Sequence, residues 1–341
     1  MSIKQYFKKF HSKLEKAEGK KPSIVSILKH AIEGVYDYFK YGSTITDYFE
    51  LTFYNKTAKE KAEYVTWRFH KRFIYQADDA NLIDKLAGKA AMYKETKEYV
   101  NRKQLDTKLC SYEEFEKYIK DVPKFFYKPN NESCGNGIQL IDVACMDARE
   151  VYDIITREPG ILDEVIIQHH AMKELNTSSV NTVRVFTFRT NNNIYFTGAA
   201  LRMGTTGFID NYSAGGVVAS VDVKTGKTKP FAEDMHGRIY AKHPVSGVIF
   251  DGFKVPNWDT ATDFLMKIAK EYPLNYVAWD LAVLEEGFTL VEANPAGMIN
   301  VIQIAGADGK MKLYKKLDEE WKKHPYVESK ESNRYFNKVL C

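Results

Sequence analysis

The stretch that most constrains this chain is Tyr276 to Pro295, YVAWDLAVLEEGFTLVEANP. Val277, Trp279 and Leu281 precede a short loop, Glu285-Glu286-Gly287, and Phe288, Leu290 and Val291 follow it. Two apolar runs around a polar tip predict a β-hairpin, and a three-residue loop needs its last residue left-handed, which suits Gly287. That loop sets Leu284 opposite Phe288, Ala282 opposite Leu290 and Asp280 opposite Glu292. Asn294 joins the same row, because side chains two apart share a face. Directly opposed carboxylates repel, and a hard divalent cation with oxygen ligands offsets the repulsion. Asp280, Glu292 and Asn294 are therefore the candidate Mg²⁺ ligands. On this reading, neutralising both acids stabilises the nucleotide-free protein. A solvent-facing polar row on an edge hairpin would carry the same residues.

The rest of the chain narrows the class. Its 341 residues allow two domains or one large one, and 44% apolar with 28% charged residues is ordinary for a soluble protein. A net charge of +4 does not suggest a dedicated nucleic-acid binder. The four cysteines have neither metal-type spacing nor disulfide density, which points to a reducing cytoplasm. No apolar stretch reaches membrane-spanning length. Residues 1–21 are basic and amphipathic, with Ile3, Tyr6, Phe7, Phe10 and Leu14 on one helical face. Such a segment suits peripheral contact with the inner face of a membrane; the plainer expectation is a helix packed on its own domain with a solvated lysine face.

Residues 22–105 read as helical, with Ser23 capping a helix to Tyr41, Thr57 another to Tyr75, and a last one over Ile83–Tyr99. The aromatics Tyr36, Tyr38, Phe39, Tyr48, Phe49 and Phe53 are expected in the core. From Lys108 the pattern alternates strand and helix. Ser111 with Glu114 is a capping box, and a strand runs Lys124–Lys128. Asn130 to Gly137 then joins it to a second strand, Ile138–Val143. This glycine-rich loop links strands and opens no helix, which argues against the P-loop and the dinucleotide fingerprint. A glycine-rich hairpin tip still covers phosphates with its N–H groups, and an inward Lys128 needs an anion, for which a phosphate would serve.

Asp163-Glu164 precedes a predicted strand Val165–Gln168, and His169-His170 are placed on opposite strand faces, as substrate-facing or structural residues rather than a zinc site. A three-residue turn over Asn191–Asn193 sets Arg184 opposite Ala200, with Arg202 one diagonal step away on the same face. Two inward arginines call for anions. No serine–histidine–acid arrangement and no reactive cysteine context appears, so cationic clamps with a metal point to phosphoryl transfer.

In this order the residues resemble the ATP-grasp superfamily over about Lys108 to Asn300. The resemblance implies an α+β fold of two lobes gripping ATP, preceded by a mostly helical N-terminal region. It sets the helical region at 1–105 and the ATP-grasp domain at 106–341, with a first lobe at 106–164 and a second at 165–341. Lys108 and Lys128 resemble the phosphate-binding lysines. Ser133, Gly135 and Gly137 resemble the flap, and Asp163 and Glu164 the hinge that holds adenine. Arg184, Arg202, Asn211, Asp280, Glu292 and Asn294 are similar to the series of the ribosomal-protein glutamate ligases, where the arginines steady an acyl phosphate and the last three bind Mg²⁺. QHH-x5-SSVNTVRV and DNYSAGG are closer to the sugar-transfer-associated branch. The resemblance implies an ADP-producing ligase joining a small-molecule or sugar-linked carboxylate to an amine such as an amino acid, in polysaccharide biosynthesis. An ATP-grasp phosphotransferase and a non-catalytic nucleotide-binding scaffold are the alternatives.

Overall fold

Helix caps explain the first third of the chain. In a computed structural model, which describes residues 3–130, 137–205, 207, 212, 215–326 and 335–341, seven helices precede the first strand. They are α1 (Ile3–Glu18), α2 (Ile24–Tyr41), α3 (Ile45–Glu50), α4 (Ala58–Lys61), α5 (Trp67–Ala77), α6 (Ala80–Leu86) and α7 (Lys89–Thr96). Ser23 caps α2 through the N–H of Ser26, and Gly42 ends it in the left-handed conformation. The helix expected from Thr57 to Tyr75 is interrupted, because the Gln303 side chain takes both the N–H (2.8 Å) and the carbonyl (2.9 Å) of Val65. The helix expected over Ile83–Tyr99 is divided at Gly88, which starts α7.

Four strands make the first sheet: β1 (Gln104–Asp106), β2 (Lys124–Pro129), β3 (Gln139–Asp142) and β4 (Gly160–Glu164), in antiparallel order β1-β4-β2-β3. Helices α8 (Tyr112–Asp121) and α9 (Ala148–Arg157) cover it, and Phe115, Phe125, Val151 and Leu162 form its core. The strand expected over Val165–Gln168 is absent. Strand β4 lies earlier, and the Gln168 side chain instead ties the carbonyls of Asn176 and Ser179 to the N–H of Asn181.

The short α10 (His170–Leu175) leads into the second sheet. It contains β5 (Thr182–Arg189), β6 (Asn193–Met203), β7 (Val217–Val221), β8 (Thr228–Asp234), β9 (Ile239–Tyr240), β10 (Tyr276–Val283) and β11 (Phe288–Asn294). Their order is β11-β10-β5-β6-β7-β8-β9, with β12 (Asn337–Leu340) parallel beside β6. Helix α11 (Trp258–Glu271) packs on one face of it, and α12 (Met311–Lys323) follows the hairpin. The helical N-terminal region has no separate core. Phe73 of α5 meets Phe188 of β5 and Tyr314 of α12, and Phe10, Leu14 and Phe49 belong to the same buried cluster as the second sheet. Tyr36, Tyr38 and Phe39, expected in that core, are exposed.

Both long hairpins differ from expectation by one residue at the turn and agree at the site. Val283 pairs with Phe288 and Leu281 with Leu290, yet a bulge at Asp280/Leu281 restores Asp280 to Glu292. In the same way Arg189 pairs with Ile194, and a bulge at Phe186/Thr187 restores Arg184 to Ala200. A bulge inserts one extra residue in one strand, which cancels a one-residue error in loop length.

One buried acid sets a pH dependence. Burial pushes Glu233 of β8 up to about 7, against the opposing Ala305 N–H bond and Lys56 charge. Its unfolded value lies near 4.5, so its favourable contribution falls as pH rises through that window and is gone above about 7. Glu233→Gln is expected to raise the melting temperature at pH above about 7 and to change it little near pH 4.5, as differential scanning fluorimetry across pH will measure.

Candidate functional site

A cleft of about 590 Å³ takes its lining from both sheets and from α7. Lys128, Asp163, Glu164, Arg184, Arg202, Asp280, Glu292 and Asn294, all singled out in the sequence, line it. They arrive by register. Arg184 is opposite Asp280 across β5–β10, Glu292 is opposite Asp280 across β10–β11, and Arg202 lies opposite Thr182, two residues along from the Arg184–Ala200 pair.

Asp280 is 2% exposed and is the centre of the second-sheet side. Arg184 donates Nε to Oδ1 and Nη2 to Oδ2, each at 2.7 Å. Arg202 donates Nη1 to Oδ2 at 2.6 Å, and Asn294 donates Nδ2 at 3.3 Å. Burial alone would push the Asp280 carboxyl up; the two guanidinium groups outweigh it and hold the group at about 2. Glu292 moves the other way, pushed up by burial and then by the charge of Asp280. Thus the repulsion between the opposed acids, expected to need a metal ion, is offset by two arginines of the chain. Glu292 has no hydrogen-bond or ion-pair partner among the described residues.

The first-sheet side has a second carboxylate centre. Asp163, at the end of β4 and 2% exposed, receives Arg102 Nε at 2.6 Å and Nη2 at 3.0 Å, Gln104 Nε2 at 2.7 Å, and the Lys128 ammonium. Burial pushes Asp163 up, but the charges of Lys128 and Arg102 hold it well below the usual carboxylate range. The anion that Lys128 was expected to require is therefore supplied within the protein. Arg102 also donates Nη1 to the Leu290 carbonyl at 2.8 Å and to Thr289 Oγ1 at 3.1 Å. This guanidinium ties β4 of one sheet to β11 of the other.

Several expectations are corrected. Lys108 is exposed in the turn after β1, where the Thr107 N–H bonds the Gly160 carbonyl at the start of β4, and it does not line the cleft. Lys89, the first residue of α7, lines the cleft instead and donates to the Pro129 carbonyl at 2.6 Å. Its only signal in the sequence was the glycine before it. Arg102 was missed as well, since nothing local distinguishes it from a surface arginine. His169 and His170 do not point to opposite faces. They cap and begin α10, stack at 4.2 Å and both approach Glu285. Gly137 is left-handed (φ +69°) just before the cleft-lining Ile138, while Ser133, Gly135 and Asn211 lie outside the described residues. Gly297 lets the chain after β11 turn back across β10. A Cβ there would lie 2.4 Å from the Ala278 Cβ, and Met298 and Val301 beyond it line the cleft.

Since Asp280 bonds both Arg184 and the buried Arg202, its replacement is expected to destabilise the fold. Asp280→Asn is expected to cost about 3 kcal/mol, because both guanidinium groups lose the carboxylate they share. Glu292→Gln removes only the repulsive partner and is expected to match or exceed wild-type stability. Chemical denaturation of both variants without nucleotide checks the opposite signs.

No curated protein matches the chain. Among solved structures, the ATP-grasp ligase PsnB complexed with minimal precursor aligns with 12% identity and a TM-score of 0.45, over 71% of this chain and 62% of that one. N5-carboxyaminoimidazole synthetase from Staphylococcus aureus complexed with ADP gives 12% identity and 0.42, over 64% and 47%. A RimK domain ATP-grasp protein from Sphaerobacter thermophilus gives 11% and 0.35, over 63% and 62%. Each alignment spans less than two thirds of the other protein. The family profile described as sugar-transfer associated ATP-grasp matches residues 59–319, well over half of the 341. The chain belongs to the sugar-transfer associated ATP-grasp family and has the ATP-grasp fold.

Proposed function

We propose that this protein is an ATP-dependent carboxylate–amine ligase that forms an amide through an acyl phosphate. The observation that carries the reading is the pair Arg184 and Arg202, aimed into the cleft and held by one shared carboxylate. Cations fixed in place before the substrate arrives favour a transition state that spreads charge over a phosphoryl group, and they need no reorganisation as it forms. ATP occupies the cleft between lobes 106–164 and 165–341, behind the helical region 1–105. Its base rests on apolar residues such as Met92, Ile161 and Ile166 near Glu164, and its phosphates meet Lys128 and Lys89. By their resemblance in sequence, Ser133, Gly135 and Gly137 are assigned to phosphate binding and Asn211 to nucleotide binding. Lys108 does not line the cleft and is not assigned to the phosphates.

The donor set fits Mg²⁺. Glu292 offers a carboxylate with no hydrogen-bond or ion-pair partner among the described residues, Asn294 offers an amide oxygen, and Asp280 shares its oxygens with the arginines. Mg²⁺ held by these residues would neutralise phosphate charge. The substrate carboxylate forms a bond to the γ-phosphorus while the bond to the ADP oxygen breaks. Arg184 and Arg202 hold the resulting acyl phosphate. An amine then bonds to the acyl carbon, loses a proton, and phosphate leaves with the C–O bond pair. The acid is sugar-linked or a small molecule, the amine is of the amino-acid kind, and the setting is cytoplasmic synthesis of a cell-surface polysaccharide.

Hydroxylamine stands in for the amine in the test. With ATP, Mg²⁺ and candidate acids, hydroxamate is expected to appear in step with ADP and without AMP. Arg202→Ala is expected to lower this rate by about 10²–10³-fold while changing ATP affinity far less, with a melting curve to confirm folding. A phosphorylated product stable to hydroxylamine makes the protein a phosphotransferase. ATP binding without turnover across all acids leaves a scaffold.

A further inference from the structure

Helix α2 is mounted the wrong way round for a soluble protein. An amphipathic helix ordinarily turns its apolar stripe to the core. Here Val25, Leu28, Ile32, Val35 and Phe39, spaced three and four residues apart, are each 58–76% exposed. The opposite stripe, Ser26, His30, Glu33 and Asp37, faces the body of the protein, and polar bonds hold it there. Asp37 is fully buried against Lys61 at 2.7 Å. His30 and Glu33 both bond the Tyr48 hydroxyl, at 2.7 and 2.8 Å, and Ser26 bonds Glu18 of α1. These contacts fix the roll of the helix, so its apolar side is held outward and none of the described residues covers it. At about 2 kcal/mol per large apolar side chain, this is an expensive surface to leave in water.

Charge identifies the occupant. Residues 1–41 carry nine lysines against four acids, so this segment is more positive than the whole chain at +4. Lys4, Lys8, Lys20, Lys21 and Lys29 are exposed on or between the first two helices. Phe7 and Tyr6 are exposed on α1. Two copies meeting through this face would bring like charges together, whereas an anionic surface attracts them. No described helix is long and apolar enough to cross a membrane. We propose that the outward face of α2, with the basic residues of α1 and the α1–α2 turn, docks this protein on an anionic lipid surface, α2 lying in the interface plane. The aliphatic stripe enters the headgroup–acyl boundary and the lysines meet lipid phosphates and carboxylates.

Flotation of the full-length protein with vesicles tests this. Binding is expected to phosphatidylcholine vesicles containing phosphatidylserine, with loss at high salt and much weaker binding to phosphatidylcholine alone. Ile32→Asp and Phe39→Asp are each expected to weaken binding by about tenfold or more, with unchanged melting temperature and nucleotide affinity, because neither side chain packs on the body. Lys20→Glu with Lys21→Glu is expected to weaken only the anionic component. The proposal is overturned if folded wild-type protein binds neither vesicle, if it binds both equally, or if the aspartate variants bind as well as wild type. A dimer in analytical ultracentrifugation that Ile32→Asp dissociates, without vesicle binding, would assign the face to a second copy instead.

Discussion

Much of this protein depends on cations gathered on buried carboxylates. Asp163 collects Arg102 and Lys128 on one sheet, and Asp280 collects Arg184 and Arg202 on the other. Asp163 holds Lys128, and Asp280 holds Arg184 and Arg202, at fixed positions on the cleft wall, which long basic side chains in water would not keep. A buried ion pair adds little net stability, because desolvation offsets the attraction. Its value here is positional, and the same low-dielectric setting makes it costly to remove either acid. Glu292 is the group this arrangement leaves over, its pKa pushed upward by burial and then by the neighbour that the arginines hold ionised.

The helical region takes part in building that wall. Asp78, at the end of α5, accepts the N–H groups of Asn275 and Tyr276 and so fixes where β10 begins. Asn300 is bonded to Asp47 and Glu50 of α3, and Gln303 clasps Val65. These contacts anchor the turn after β11, whose Met298 and Val301 face the cleft. Arg102 does the corresponding task between the sheets, spanning Asp163 and the Leu290 carbonyl. A segment that reads as an appended helical cap is thus a support of the site, and the family match begins inside it at residue 59.

The family and its fold were legible because their signals are local. Strand alternation, a glycine-rich tip between strands, and ordered polar residues at strand positions survive in the sequence whatever surrounds them. The facing of Asp280 and Glu292, and of Arg184 and Ala200, was also legible, although for an incomplete reason. Each turn is one residue longer than its composition suggests, and a bulge in each hairpin cancels the difference before the site. Alternation reports which face a side chain takes, not how many residues the loop consumes.

What the tertiary structure alone decided is partnership. That Asp280 binds two arginines, that Lys128 finds Asp163, and that Lys89 replaces Lys108 at the cleft are contacts between residues 35 to 96 positions apart or placed by a distant backbone bond. No periodicity encodes them. The outward roll of α2 is the clearest instance. Its sequence specifies an amphipathic helix with both stripes in place, but periodicity is blind to which stripe meets the body. Asp37 with Lys61, and Tyr48 with His30 and Glu33, settle that by satisfying polar groups that would otherwise be buried without partners.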